Sequence, residues 1–290
     1  MRNEVSLADT ILKALENEFR GKSISRVIQS FRNVVDGKKL EVNEGEITHQ
    51  RATSFIEGLD ATPFIEDFDN DYQWVRHLEN NWETIAAELR EAMKQKDIQR
   101  KGNNIWAPPV VEAANAYGPD WRTLVLQDRV WDPVNINLFP KTTAILQDSE
   151  AHVPSVEAFF ARQAAGTGIK LHTDDCNFIL TMHLALSAPE KQSWIEVAGE
   201  RRYWENGKGL VFNTSFFHQT MNESNEQDRV VLLIRFWHPQ LRPIEREALS
   251  FLFQAIDNPD GHPSVVKARR QLRAQGSSPP QRPRGRGFGA

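Results

Sequence analysis

The chain has 290 residues, 40% of them hydrophobic, enough to bury a sizeable core as one large domain or one domain plus additions. A formal net charge of -4 leaves no basic footprint for nucleic acid or anionic lipid, and the single cysteine, Cys176, excludes an internal disulfide framework. The opening Met1-Arg2-Asn3-Glu4 lacks the order of a signal peptide, and no apolar run approaches the roughly 18 residues needed to span a bilayer. The expectation is a soluble, intracellular protein of the cytoplasm with neither nucleic-acid nor membrane partners, and with no sequence signal of its oligomeric state.

Two amphipathic helices come first: Ile11, Leu12, Leu15 and Phe19, then Val27, Ile28, Phe31 and Val35, recur at helical spacing, punctuated by Gly21 and Gly37. The polar stretch from about Lys38 to Thr53 reads as a connector, and Ala61-Thr62-Pro63-Phe64 as a turn into the main body. Trp74, Leu78, Trp82, Ile85, Leu89 and Met93 then form a single apolar stripe opposite Glu79, Glu83, Glu88 and Arg90. Burial against a sheet accounts for such a stripe better than a cofactor surface does, so both tryptophans are assigned to the core.

Beyond residue 100 the pattern becomes that of strands and turns, with breaks at Pro108-Pro109, Gly118-Pro119 and Asp132-Pro133. Strands are expected at Trp121 to Leu126, Thr143 to Leu146, Gly168 to Leu171, Phe178 to Ser187, Trp194 to Val197, Gly209 to Phe212 and Arg229 to Trp237. Glu205-Asn206-Gly207-Lys208 reads as the turn of a tight hairpin joining the strand through Arg202 to Leu210-Val211-Phe212. Many short strands around a small interior site predict a mainly β protein with a helical buttress, a double-stranded β-helix or cupin-like jelly roll. The expected organisation is an N-terminal helical extension over 1–60, a main domain over 61–256 with its jelly-roll core at about 120–240, and a C-terminal extension over 257–290. From about residue 275 the Gly-, Pro- and Arg-rich composition reads as a disordered tail.

The chemistry concentrates in His172-Thr173-Asp174 and in His218 of Phe216-Phe217-His218. On a strand His172 and Asp174 share one face, and a histidine from a neighbouring strand would complete a two-histidine, one-carboxylate triad that leaves three metal positions open for oxygen chemistry. Asp175 is the rival carboxylate, but alternation turns it away. Cys176 needs no role at a nitrogen- and oxygen-liganded iron, and His238 in Trp237-His238-Pro239 reads as structural.

Ordered around this clamp are Phe139-Pro140-Lys141-Thr142, Ala165-Gly166-Thr167-Gly168-Ile169-Lys170-Leu171-His172, Met182-His183-Leu184-Ala185-Leu186, Trp204-Glu205-Asn206-Gly207-Lys208, Phe212-Asn213-Thr214-Ser215-Phe216-Phe217-His218 and Arg229 to Pro239. Together they resemble the aspartyl/asparaginyl β-hydroxylase family of Fe(II)- and 2-oxoglutarate-dependent dioxygenases. The resemblance implies a hydroxylase with iron(II), 2-oxoglutarate as cosubstrate and O2. It places His172 and His218 at the iron and Arg229 at the distal carboxylate of 2-oxoglutarate, with Asp174, put forward by strand alternation, as the third ligand. His183 matches a histidine beside the cosubstrate, and Thr181 shares its strand face.

Departures from the family pattern bear on the substrate. The best-known animal members carry glycine where this chain has Asp174, so the resemblance implies a more complete triad here, and one unsuited to halogenation. Ala161 stands in place of a cosubstrate-binding serine, and Ile179 and Thr181 in place of two arginines that handle carboxylates. A less acidic, small-molecule or amino-acid-like substrate is therefore expected, with Ile179 as an apolar wall. A peptidyl aspartyl/asparaginyl hydroxylase, a cupin-type metal-dependent hydrolase or isomerase, and a non-catalytic interaction module are the alternatives.

Overall fold

The computed structural model describes residues 5–44, 47–95 and 121–276; the breaks expected at Pro108-Pro109 and Gly118-Pro119, and the tail beyond Gly276, lie outside the described residues. The chain divides into two compact units, one made from the residues up to Asp36 and from Arg242 onward, the other from Gly37–Leu241. The two expected N-terminal helices are present as α1 (Leu7–Glu18) and α2 (Ser25–Val35). Ser6 caps α1, its hydroxyl accepting from the Asp9 amide at 3.0 Å.

In the larger unit, β1 (Leu40–Glu44) and β2 (Ile47–Ala52) pair as an antiparallel hairpin, correcting the connector expected there. Leu40 and Val42 are the only apolar residues of β1, most of which is exposed, and β2 reads Ile-Thr-His-Gln-Arg-Ala, so the apolar signal for two strands is too short to stand out. The short β3 (Phe64–Ile65) follows, and then two helices, α3 (Gln73–Asn80) and α4 (Trp82–Lys94), where one continuous stripe was expected. The break falls at Asn81, whose side-chain amide donates to the His77 carbonyl at 2.8 Å, the local competition that makes asparagine a poor helix interior. The stripe is nonetheless core: Trp74, Val75, Leu78, Ile85 and Leu89 are buried, with Trp82 packed half-buried against them.

The remaining elements are β4 (Trp121–Asp128), β5 (Val130–Trp131), α5 (Asn135–Leu138), α6 (Pro140–Leu146), β6 (Ser155–Gln163), β7 (Gly168–His172), β8 (Ile179–Ser187), β9 (Ser193–Val197), β10 (Glu200–Tyr203), β11 (Gly209–Phe212), β12 (His218–Asn222) and β13 (Arg229–Trp237). The segment Thr143 to Leu146, expected as a strand, is helical. Pro140 opens α6, and the Glu88 carboxylate accepts from the amides of Lys141 and Thr142 at 2.8 and 2.7 Å, an N-terminal cap supplied from α4. β6 and β12 are strands that the sequence reading did not assign.

Among the described residues, thirteen strands thus form the β1–β2 hairpin, a seven-stranded antiparallel sheet in the order β3-β11-β8-β13-β6-β4-β5, and a four-stranded antiparallel sheet in the order β10-β9-β12-β7. This is the expected double-stranded β-helix. Alternation along the strands separates two cores. Phe160, Leu184, Leu232 and Ile234 face the helices, joining Trp74, Leu78 and Ile85; Ala161, Ala185, Val231 and Leu233 face inward with Ile195, Val197 and Trp204. Each fully buried leucine or phenylalanine contributes about 1.5–3 kcal/mol.

The hairpin expected around Gly207 is instead a crossing between sheets, because β10 pairs with β9 and β11 with β8 and β3. Gly207 has φ +79°, and a Cβ there would lie 2.7 Å from the Trp82 ring, so both the backbone and the space require glycine.

The smaller unit adds α7 (Pro243–Asp257) and α8 (Pro263–Gly276) to α1 and α2. Phe19 meets Phe251 edge-on at 5.8 Å, and Asn17 donates to Gln271 at 2.9 Å. Glu245, its side chain fully buried, accepts a fork from Arg26 at 2.9 and 2.7 Å and a further bond from Arg242 at 2.8 Å.

Candidate metal and cosubstrate site

The two histidines are directly opposed across the ladder between β7 and β12, with His172 paired to His218. Each ring is oriented by a main-chain carbonyl two residues earlier: His172 Nδ1 lies 2.7 Å from the Lys170 oxygen and His218 Nδ1 2.9 Å from the Phe216 oxygen. A carbonyl only accepts, so Nδ1 carries the proton in both rings and each Nε2 presents a lone pair. This is the arrangement that metal-binding imidazoles use.

Asp174 is placed differently from the expectation. His172 is the last residue of β7, and Asp174 lies past the strand end, beside Asp175 with φ +58°. The carboxylate still faces the rings, Oδ1 lying 3.7 Å from His172 Nε2 and 4.0 Å from His218 Nε2. Asp175 contributes its carbonyl to the amides of Thr53 and Ser54 and takes no place in the cluster. Among the described residues, His172, Asp174 and His218 form the cluster of three able to hold a metal ion, their ligand atoms all within 4.8 Å of one another. Ligands of one divalent ion with bonds of about 2.1 Å lie at most about 4.2 Å apart, so the donor set and most of the spacing fit.

Both ligand-bearing loops are held by the N-terminal hairpin. Phe217 donates to the His49 carbonyl at 2.9 Å, Arg51 to the Ser215 carbonyl at 2.8 Å, and the Gln50 amide to the Ser215 hydroxyl at 2.8 Å. Further on, Thr53 and Ser54 donate to the Asp175 carbonyl at 3.1 and 3.0 Å, and Asn177 exchanges two bonds with the backbone of Ile56 at 2.9 and 3.0 Å. The amide of Asp174 donates to the Thr214 carbonyl at 2.9 Å, tying one ligand loop to the other.

The cluster opens on a cavity of about 490 Å³ between the two sheets. At its buried end Arg229, the first residue of β13, is 1% exposed, with its guanidinium carbon 4.3 Å from the centre of the Trp204 ring. Its Nε and Nη1 are buried without a hydrogen-bond partner, as are Thr181 Oγ1 and His183 Nδ1 on the neighbouring β8. Thr181 and His183 both line the cavity, as strand alternation requires. His183 stacks on Trp204 at 5.8 Å. Burial, then the positive charges of Arg229 and His218, hold His183 well below the ordinary histidine value, so it stays neutral. Burial draws Arg229 down to about 9, leaving it a cation at neutral pH.

The cluster residues respond to the same surroundings. His218 is lowered to about 4, mainly by burial. Burial acts to raise the Asp174 carboxyl, but Arg235, His218 and His172 outweigh it and hold that group below its usual value.

Three cavity-associated residues carried no assignment from the sequence: Trp204 beneath Arg229, and Glu157 and Arg235 beside Asp174. Arg235 was findable, since Arg229, Val231, Leu233 and Arg235 share one strand face. Ile179, by contrast, is buried but does not line the cavity, correcting its expected place as a substrate wall, whereas Ala161 and Phe159 do line it.

Comparison with known proteins gives the family of the chain. The sequence model of the Aspartyl/Asparaginyl beta-hydroxylase family matches residues 79–239. The human Aspartate beta-hydroxylase domain-containing protein 2 is 28% identical over 207 residues, covering 69% of this chain and 53% of that protein. The Ornithine lipid ester-linked acyl 2-hydroxylase of Rhizobium tropici is 24% identical over 176 residues, covering 59% of this chain and 60% of its own length. The chain therefore spans little more than half the length of these relatives. A Pseudomonas putida prolyl-4-hydroxylase crystal structure aligns with 15% identity and a TM-score of 0.34, over 56% of this chain and 89% of that one. With more than half of its 290 residues matched, from Glu79 to Pro239, the chain belongs to the aspartyl/asparaginyl β-hydroxylase family.

Proposed function

We propose that the chain is an Fe(II)- and 2-oxoglutarate-dependent oxygenase that hydroxylates an unactivated C–H bond of a small molecule or amino-acid-like metabolite. One observation carries the reading: a two-histidine, one-carboxylate cluster shares its cavity with a buried arginine whose Nε and Nη1 have no protein partner. Leaving a desolvated cation without an acceptor costs several kcal/mol unless an anion completes it. A dicarboxylate that reaches from the metal to that arginine satisfies both ends at once.

In this reading His172, Asp174 and His218 hold the metal through Nε2, a carboxylate oxygen and Nε2. When bound, iron and 2-oxoglutarate supply the oxidising chemistry, O2 and the cosubstrate being converted to succinate and carbon dioxide as one oxygen atom enters the substrate C–H bond. Arg229 grips the far carboxylate with its planar fork, and Trp204 supports the guanidinium from one face. The Thr181 hydroxyl and the His183 ring contribute hydrogen bonds, and because His183 is neutral it adds no second charge to a site that Arg229 already balances. Val125, Phe159 and Leu233 offer an apolar wall that limits water near the reacting carbon.

The names of two relatives point to other substrate classes: that of the human relative to aspartate, in line with the aspartyl/asparaginyl alternative, and that of the Rhizobium relative to the acyl chain of an ornithine lipid. A cupin-type hydrolase or isomerase would use the same metal cluster but has no need of Arg229. Anaerobic addition of Fe(II) and 2-oxoglutarate tests the reading: a weak visible charge-transfer band is expected only with both present. Its absence would remove the cosubstrate assignment. Comparing Asp- and Asn-containing peptides, free amino acids and apolar metabolites for stimulated succinate release then decides the substrate class.

A further inference from the structure

On the oxygenase reading above, we propose that Glu157 is a substrate-binding residue that takes a primary ammonium group, so that the substrate class is an amine with a short apolar body rather than an acid. Glu157 stands on β6 and lines the cavity, its side chain 23% exposed. Its protein cation is Arg235, the direct cross-strand neighbour on β13, whose Nη1 lies 3.3 and 3.4 Å from the two carboxylate oxygens. These contacts are long beside the bonds of 2.7 to 2.9 Å that hold Glu245 in the helical unit. The cross-strand neighbour on the other side is Asp128, a second acid, which is exposed and paired with Arg129 at 3.1 Å. A carboxylate offers about four lone-pair sites, and one nitrogen shared between two oxygens leaves most of them open to the cavity.

The cavity is polarised by the way its two arginines are used. At the buried end Arg229 has no protein acceptor for Nε and Nη1, which calls for an anion. At the other end one guanidinium serves several acceptors: Arg235 meets Glu157 through Nη1, and its Nη2 faces Asp174 Oδ2 at 3.8 Å and Cys176 Sγ at 3.9 Å. The excess there is of acceptors, so an ammonium gains a charge-assisted bond where a substrate carboxylate meets two others. The dication and a dicarboxylate cosubstrate cancel in charge, so the contrast between the two ends survives loading. Phe159 and Leu233, the next residues on the same faces of β6 and β13, lie about 7 Å further along their strands. With Val125, which is opposite Phe159, they line the cavity as an apolar wall. An ammonium held by Glu157 therefore lays a body of a few carbons along that wall, and because one guanidinium spans Glu157 and Asp174, the body lies beside the metal cluster.

Three probes that share one body and differ in head group test this role by binding rather than by turnover. The chain is loaded with Mn(II) in place of iron and saturated with 2-oxoglutarate, and hexylamine, hexan-1-ol and hexanoate are titrated by calorimetry at neutral pH. Hexylamine should bind at least about 10-fold more tightly than the alcohol, the size of one charge-assisted bond, and hexanoate should bind most weakly. Glu157→Gln keeps the length and removes the charge, and should bring the amine down to the level of the alcohol; Glu157→Leu serves if the glutamine variant does not fold. Amine binding no tighter than alcohol binding in the unaltered chain would overturn the role. So would an amine preference that survives in a folded variant, as direct binding of the amine to the metal would give; Glu157 would then be a strut for Arg235 alone. Failure of the unaltered chain to take up 2-oxoglutarate with Mn(II) would instead remove the oxygenase reading, and this role with it.

Discussion

Arg229 and Arg235 stand on the same face of β13, six residues and so about 20 Å of strand apart, yet the protein treats them in opposite ways. Arg235 lies between the carboxylates of Glu157 and Asp174, whereas Arg229 is buried on an aromatic ring with two of its nitrogens lacking acceptors. The same side chain is therefore spent on the protein at the half-buried end of the cavity and held in reserve at the buried end. A cation kept desolvated and unpaired destabilises the fold by itself. Its retention beside Thr181 and His183, whose buried polar atoms are also unpaired, marks the end where an anionic ligand is expected.

The comparison can be broken in graded steps. Replacing His172 or His218 by alanine removes the metal ligands that both ends share, and substrate-linked succinate formation should be abolished; full turnover in either variant would end the assignment. Arg229→Ala should weaken 2-oxoglutarate by at least about 100-fold, because two charge-assisted bonds of about 1.5–3 kcal/mol each are lost, and an unchanged Michaelis constant would take Arg229 out of the cosubstrate site.

Glu245 in the helical unit supplies the reference for arginines paired purely for stability. Its carboxyl is lowered to about 2, burial being overcome by hydrogen bonds from Arg26 and Arg242. A depressed carboxylate stabilises above its unfolded pKa, so this contribution should be complete above about pH 4.5 and lost as pH falls toward 2. Allowing for the part-exposed arginines, roughly 2 kcal/mol is at stake. Glu245→Gln should flatten the acid limb of the stability curve in denaturant melts without changing 2-oxoglutarate affinity. The smallest effect is expected for Trp204→Leu, which removes a cation–π contact of about 1 kcal/mol and should weaken 2-oxoglutarate by a few-fold. No change would mean that Trp204 only fills space.

What was legible in the sequence is what local chemistry encodes. His172, Asp174, His218 and Arg229 sit in short motifs with strong strand or turn character, and Thr181 and His183 follow from alternation along one strand. What was not legible depends on distant partners. Thr142 and Thr143, read as strand formers, enter a helix because Glu88 caps it from another element. Asn81 splits a stripe that is continuous as a pattern of apolar residues. Glu157 escaped notice because β6 was not assigned as a strand, and its link to the cavity runs through a cross-strand partner, Arg235. Even Asp174, grouped with His172 in the sequence reading, reaches the rings from beyond the strand end rather than from within it.

The hairpin of β1 and β2 has a consequence for where this catalytic module begins. The family model begins at Glu79, yet the backbone from His49 to Ile56 supplies the partners for Ser215, Phe217, Asp175 and Asn177. A fragment trimmed to residues 79–239 would expose those groups and release both loops that carry the His172, Asp174 and His218 cluster. The start of the family model and the start of the working fold differ by at least thirty residues, about the stretch from His49 to Glu79, and it is the second that an expression fragment has to respect.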